Sequence, residues 1–375
     1  MSTEQRLHID ATALTQFAAA VLEAKGVASA DAAITADVLV QADLRGIVSH
    51  GVARLRRYVD GLDSGLMKAK PDTTVVNETP ATALIDADGG LGQPASHLAM
   101  SMAIEKAEKL GAGFVTVRNS NHYGFAGYYP LMALQRGCVG ISMTNSAVLV
   151  VPTFARNALL GTNPIAVAAP GGSEPPFVLD MATSTVPRGK LEVYNRQEQS
   201  IPMGWATDAA GEPTDDAGKV LRNFQQLAGG GLLPMGGAGE LLGGHKGYGL
   251  AVLVEVLSAV LSGAAHADQV YPKDADGKPL PANLGHFFGA LKIDAFRPQA
   301  EFEASMDDLQ QRLKGADRVE GQDRIWVAGE KEHDSHAQQS VHGITVGAKV
   351  SADLLALSKE YGVAIDGTLD DSTDT

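Results

Sequence analysis

Between residues 113 and 182 the chain offers four short β-rich runs in quick succession, GFVTVRNS, VGISMTNS, NPIAVAAP and PFVLDMA, each ending in a polar or Gly/Pro cluster. Several strand ends therefore carry polar groups. Function gathers at such ends, because a sheet holds its loops rigidly while leaving them exposed. An alanine-rich helix over 94–110, closed by Gly111, leads into these runs, and TTVVNETPATALIDADG before it reads as two more strands. Residues 10 to 65 read as three helices. Asp10 and Ser29 are placed to cap the first two, Gly26 to close the first, and Ser49 to start the third.

Downstream, GGAGELLGGHKGYG (236–249) is a glycine-rich loop leading into an apolar run, Leu250 to Leu261. That run is broken by Glu255 and too short to span a bilayer, so it reads as a buried helix. A polar stretch at 268–283 is a surface excursion, either a substrate lid or an ordinary loop. ALKIDAF (290–296) reads as a strand, 305–314 as a helix, RIWVAGE (324–330) as a strand and turn, and 351–361 as a closing helix capped by Ser351. The acidic tail from Asp370 is expected to fray.

At 375 residues the chain is long enough for two or three packed units. A net charge of −14 argues against nucleic acid as a partner, since a phosphate backbone needs a basic surface. The single cysteine, Cys138, excludes an intrachain disulfide and fits a reducing compartment as a small buried hydrophobe. MSTEQRLHID has neither the basic start nor the apolar core of a secretory signal, so the cytoplasm is the default, with no membrane partner.

SHGVARLRRYV, from Ser49, is the richest segment. On a helix capped by Ser49, His50, Arg54 and Tyr58 follow one another at four-residue steps of about 40° and form one row beginning at the positive end of the dipole. An arginine fork there suits a carboxylate or phosphate; a solvated basic face fits the same spacing. RNSNHYGFAGYY places His122 after a strand among turn-forming residues. That setting suits proton transfer, or a turn histidine bonded to backbone. TNS (144–146), LGTNPIAVAAP (160–170) and LDMATST (179–185) set hydroxyl and amide groups after strands, where they could meet a cofactor's ribose and phosphates or merely cap turns. The glycine loop lacks GxGxxG spacing and a surrounding βαβ unit, so it is no ordinary dinucleotide fingerprint. Lys246 within it can reach a phosphate or stay solvated. His333 and His336 stand three apart without HExxH or a cysteine pair, so no metal site is expected.

Taken together, SHGVARLRRYV, RNSNHYGFAGYY, LGTNP, LDMATS and HKGYG, in that order and spanning nearly the whole chain, resemble the type-2 malate/L-lactate dehydrogenase family. That family includes ureidoglycolate, sulfolactate and diketogulonate enzymes and a cyclic-imine reductase. The resemblance implies an α/β fold with a non-Rossmann, mixed-sheet NAD(P)-binding domain of the L-sulfolactate dehydrogenase type. A helical substrate-binding domain (1–75) is joined by a C-terminal helix (345–370), and residues 76–344 form the cofactor-binding and dimerisation region. It further implies a cytoplasmic homodimer that moves a hydride between NAD or NADP and a small 2-hydroxy or 2-oxo carboxylic acid. His122 matches the proton-transfer histidine, assisted by His50. Ser49, His50, Arg54 and Tyr58 match the substrate-binding segment. Ser146, Asp180, Met181, Ala182, Lys246 and Glu330 match the cofactor contacts. AGE at 328–330 departs from the family's usual Pro-Gly-Glu, which bears on Glu330. Reduction of a cyclic imino acid uses the same carboxylate clamp and is the rival enzyme reading; a ligand-binding homologue without turnover is the other. Arg188, shortly after LDMATS, can be read as a 2′-phosphate partner or a surface charge.

Overall fold

The computed structural model describes residues 6–370. In chain order it contains β1 (Arg6–Ile9), α1 (Ala11–Ala24), α2 (Ser29–Leu44), a 3-10 turn (Val52–Arg54), α3 (Leu55–Asp63), β2 (Thr74–Glu78), β3 (Thr82–Asp86), α4 (Gly92–Leu110), β4 (Ala112–Ser120), α5 (Tyr128–Leu134), β5 (Cys138–Thr144), β6 (Ile165–Ala169) and β7 (Phe177–Met181). It continues with α6 (Arg188–Arg196), β8 (Ala206–Thr207), β9 (Pro213–Thr214), α7 (Ala217–Gln226), β10 (Gly231–Leu232), α8 (Gly244–Val254) with a π-helical continuation (Glu255–Val260), β11 (Leu284–Lys292), α9 (Gln299–Lys314), α10 (Glu330–His342), β12 (Ile344–Val346), α11 (Ala348–Tyr361) and β13 (Thr368–Asp370).

The main sheet has seven strands in the order β2-β3-β4-β11-β5-β6-β7. Only β3 and β4 run parallel, joined by α4; the other neighbours are antiparallel. A doubly wound nucleotide fold needs a helical crossover after nearly every strand. Here β5, β6 and β7 follow one another without helices between them, and the sheet is mixed. Alanines 95, 99, 103 and 107 line one face of α4 and let it lie close on β4 and β11, where Val115, Val117, Phe288 and Ala290 complete the core.

A second core joins the two ends of the chain. Leu14, Phe17 and Val21 of α1, Leu39 of α2, Leu55 and Val59 of α3 and Leu354 and Leu357 of α11 pack together over the small sheet β12-β1-β13. Val150, Leu160, Leu191, Val220 and Leu232 form a third core of their own beside the three-stranded sheet β10-β8-β9.

Several sequence expectations change. Ser351 is not a cap: α11 begins three residues earlier, and the buried Ser351 hydroxyl accepts the Leu7 N–H (2.9 Å) and donates to Val346 O (3.0 Å), fastening β1 to the last helix. The helix beginning at Ser29 takes no side-chain cap. RIWVAGE forms no strand, and Glu330 opens α10, whose polar sequence hides a helix lying mostly exposed. The strand expected at 290–296 starts at Leu284, and its tail is a 3-10 turn. The run from Leu250 to Leu261 is only half buried: Leu253, Val256, Val260 and Leu261 are exposed. Cys138 is buried. Among the described residues no helix is long and apolar enough to cross a membrane. The tail beyond Asp370 lies outside the described residues.

Candidate active site

The SHGVARLRRYV segment does not form one helix from Ser49. Ser49 ends a turn, residues 50–51 are a bend, 52–54 a single 3-10 turn, and α3 starts at Leu55. Asp43, near the end of α2, supplies the cap instead: its Oδ2 accepts the Val52 N–H at 2.8 Å inside the protein. Ser49 turns its hydroxyl to His50 Nδ1 (2.9 Å). Arg54 folds back so that Nε donates to Ser49 O (2.6 Å), and among the described residues no acceptor meets its two terminal nitrogens. His50 therefore leaves the helical row, and the bend brings it to the site by another route.

His122 arrives from the end of β4. Asn121 donates from Nδ2 to the carbonyls of Gly89 (3.1 Å) and Gly90 (2.8 Å), and Gly92 at the start of α4 leaves the space that the Asn121 carbonyl fills; a Cβ there would overlap it. So pinned, His122 meets Tyr58 of α3, with the phenol oxygen 2.8 Å from Nδ1. Gly124 N–H also points at Nδ1 (3.3 Å). The ring stacks on His50 at 5.5 Å between centroids and 21° between planes. Chain segments 64 residues apart in sequence thus converge on one imidazole.

Charge is scarce in this group. Burial, then the positive Arg54 and Arg57, pushes His50 down to about 4. Burial, then His50, Arg57 and Arg54, holds His122 well below the ordinary histidine value. Burial lifts Tyr58 to about 12. At neutral pH both imidazoles and the phenol are uncharged, beside the guanidinium groups of Arg54 and Arg57.

The residues expected to meet a cofactor lie around the ends of β5, β6 and β7. Ser146 Oγ accepts the Thr162 N–H at 3.0 Å, joining the loops after β5 and before β6. Behind them the buried Glu255 receives the side-chain amides of Asn163 (2.9 Å) and Asn145 (3.3 Å). Glu255 was legible only as a charge interrupting an apolar run. Asp180 in β7 accepts the Gly127 N–H at 2.7 Å, which ties this side to the His122 loop five residues earlier. Asp180 is exposed, and desolvation by the surrounding protein raises its carboxyl to about 6, against the opposing Gly127 N–H. Met181 ends β7 and Ala182 follows it. The Thr183 carbonyl accepts from Met235 N, and Gly247 lies against the Met235 backbone, which brings the first turn of α8 alongside. Lys246 is exposed on that turn.

Glu330 behaves differently. It is 1% exposed; its Oε2 accepts Val327 N–H (2.8 Å), and its Oε1 accepts from Arg324 (3.0 Å) and Lys314 (3.2 Å). With its carboxylate committed, Glu330 shapes residues 327–329, and Ala328 O in turn accepts the Val178 N–H of β7 at 3.0 Å. Arg188 pairs with Glu192 on α6 (2.9 Å), and its charge reaches Arg54.

The polar groups suit a dinucleotide: an exposed lysine and first-turn amides on α8 for an anionic diphosphate, the Ser146 hydroxyl, and the exposed Asp180 carboxylate as an acceptor for ribose hydroxyls.

A family model described as malate/L-lactate dehydrogenase matches residues 9–355. The chain is 47% identical over 360 residues to a malate dehydrogenase of Pyrococcus abyssi, covering 96% of each. It is 38% identical over 346 residues to an L-sulfolactate dehydrogenase of Methanocaldococcus jannaschii, covering 92% of this chain and 95% of that one. The crystal structure of malate dehydrogenase from Entamoeba histolytica matches with a TM-score of 0.90 at 35% identity, over 96% of this chain and 99% of that one. Matched in sequence and fold along nearly its whole length, the chain belongs to the malate/L-lactate dehydrogenase family and is a dehydrogenase.

Proposed function

We propose that this dehydrogenase interconverts a small 2-hydroxy acid and its 2-oxo acid, with His122 as the group that exchanges the substrate proton. The observation that carries the reading is the His122 ring, bonded through Nδ1 to the buried Tyr58 and stacked on His50, with the Arg54 fork nearby, whose terminal nitrogens meet no acceptor among the described residues. A bound nicotinamide supplies or accepts the hydride.

Arg54 takes the substrate carboxylate in two charge-assisted bonds, with Ser49 and His50 beside it. In oxidation, neutral His122 removes the hydroxyl proton at Nε2. In reduction its protonated form donates from Nε2 to the carbonyl oxygen, so negative charge does not build up there. A bound carboxylate favours the protonated ring by offsetting Arg54 and Arg57. To act as a base at Nε2 the ring carries its proton on Nδ1, and that N–H donates to the Tyr58 hydroxyl in both states, with the long Gly124 contact (3.3 Å) no longer a hydrogen bond.

Ser146, Asp180, Met181, Ala182, Lys246 and Glu330 are the proposed cofactor contacts, Glu330 through the 327–329 backbone that its carboxylate holds. NAD or NADP is the proposed cofactor: Arg188, the sequence's candidate for a 2′-phosphate, makes an exposed i,i+4 pair with Glu192, a weak contact that a phosphate can displace. Residues 1–75 with the C-terminal helix form the proposed substrate domain, and 76–344 the cofactor and dimerisation region. The exposed Leu253, Val256, Val260 and Leu261, with the fully exposed Leu241 nearby in sequence, support a homodimer through that face. The one buried thiol fits a reducing, cytoplasmic setting.

The test is a matrix of 2-oxo acids (pyruvate, oxaloacetate and relatives), their 2-hydroxy forms and cyclic imino acids against NAD(H) and NADP(H), followed at the nicotinamide absorbance. Turnover of oxo acids is the expected result. Turnover of imines alone moves the protein to the reductase reading, and tight cofactor binding without turnover moves it to a non-catalytic one.

A further inference from the structure

His286 lies in the central strand β11, fully buried, and the chemistry above makes no use of it. Both ring nitrogens are bonded: Nδ1 to the Thr144 hydroxyl at 2.7 Å and Nε2 to the Ser120 hydroxyl at 2.9 Å. The ring stacks on Tyr123 at 4.7 Å and 14°. A buried imidazole is an expensive core residue unless both nitrogens are satisfied, and an apolar side chain would fill the space without that demand.

The two hydroxyls are informative by position. Ser120 ends β4, two residues before His122, and Thr144 ends β5, two residues before Ser146. β11 lies between those strands, and its pairing with β4 shifts register between Leu284 and His286. The start of β11 holds both sides by further bonds: Asn283 Oδ1 accepts the Asn119 N–H (2.7 Å), and Gly285 N–H donates to Asn145 Oδ1 (2.9 Å). One imidazole therefore spans the gap between the loop carrying the proposed proton donor and the loop carrying the proposed cofactor contact.

We propose that His286 is a positioning residue that fixes the His122 loop and the Ser146 loop relative to each other, so that the proton-transfer ring and the cofactor are aligned across the sheet. The Thr144 hydroxyl donates to the Asn145 (2.8 Å) and Gly285 (3.1 Å) carbonyls, so it accepts from His286 Nδ1–H, and Nε2 of the neutral ring accepts from the Ser120 hydroxyl. Burial, which disfavours a charge on the ring, is consistent with this fixed arrangement. The inference rests on the roles given to His122 and Ser146 under Proposed function.

The experiment compares Ser120→Ala, Thr144→Val, His286→Leu and His286→Gln in the full-length protein. It measures kcat, the Kd for NADH by fluorescence, and Tm. Loss of one hydrogen bond on the His122 side should lower kcat about tenfold in Ser120→Ala while leaving the NADH Kd within about twofold. Thr144→Val should raise the NADH Kd severalfold, and His286→Leu should show both defects. His286→Gln, which keeps an amide donor and acceptor, should recover part of each. A folded His286→Leu with kcat and Kd within about twofold of the wild type overturns the proposal, as does a Ser120→Ala and Thr144→Val pair that loses Tm but shows no split between kcat and Kd. Should His286→Leu fail to fold, the two hydroxyl variants still decide. A wild type without nicotinamide-dependent turnover sinks the functional reading itself; normal wild-type turnover with unaffected variants sinks this inference alone.

Discussion

Tyr58 Oη and His122 Nδ1 lie 2.8 Å apart, joining α3 to the loop after β4 through one partly buried hydrogen bond. Tyr58→Phe removes that bond with almost no change in shape. A net hydrogen bond of about 0.5–1.5 kcal/mol corresponds to a rate factor of roughly 2 to 13, and kcat should fall in that range. Steady-state kinetics with saturating cofactor checks it; unchanged kcat means that contacts other than the Tyr58 bond hold the ring.

His122→Ala tests the proton exchange itself. Removing a general acid or base costs typically about 10²–10⁴ in turnover. Cofactor affinity should stay near the wild-type value, because Ser146 and Lys246 sit on other loops. A variant that keeps near wild-type turnover assigns the proton to another group, with His50 the first to examine.

Arg54→Ala addresses the carboxylate clamp. Hydrogen bonds to charged groups contribute about 1.5–3 kcal/mol, so KM for the acid should rise roughly 10- to 150-fold. The KM for cofactor should change little. A loss confined to kcat would mean that Arg54 acts on the reacting carbon's surroundings and not on the ground-state carboxylate.

The elements whose pattern is local were readable in the sequence. The alanine face of α4 and the short runs that became β4 to β7 announce themselves by spacing and composition. The SHGVARLRRYV helix was misread at its start because the group that caps Val52 is Asp43, nine residues earlier on another helix, which local spacing cannot reveal. The pairing of Tyr58 with His122 and of His286 with Ser120 and Thr144 joins residues 64 to 166 positions apart, so only tertiary structure discloses it. Helix α10 escaped notice because its exposed EKEHDSH sequence has no apolar stripe to display.

Gly51 is required by that same non-local cap. A methyl group on it would overlap the Asp43 carboxylate, so Gly51→Ala must displace either Asp43 or the turn. Burial already pushes the Asp43 carboxyl up to about 7, and losing its Val52 partner leaves it unsatisfied, at a cost of about 1–3 kcal/mol. Tm should drop and KM for the acid should rise, because Ser49 and His50 ride on this turn. Adding Asp43→Ala to Gly51→Ala should cost little more, since the interaction is already broken; additive losses in the double mutant would show that the two act separately.

The pH profile of kcat/KM reports the free enzyme, in which His122 is held well below its ordinary value by burial and by the charges of His50, Arg57 and Arg54. Oxidation needs the neutral ring. Its rate should therefore stay level from neutral pH to well below the ordinary histidine value of about 6.5, and fall only as the depressed pKa is crossed. Reduction needs the protonated ring and should rise over the same acid range. Arg57 provides the control: its guanidinium donates to Tyr271 (3.1 Å) while its charge bears on both His50 and His122. Arg57→Gln removes a positive neighbour, so protonating His122 becomes easier and the acid limb for oxidation should move to higher pH. A limb that stays in place in Arg57→Gln, or that already lies near 6.5 in the wild type, would mean that another group governs the proton step.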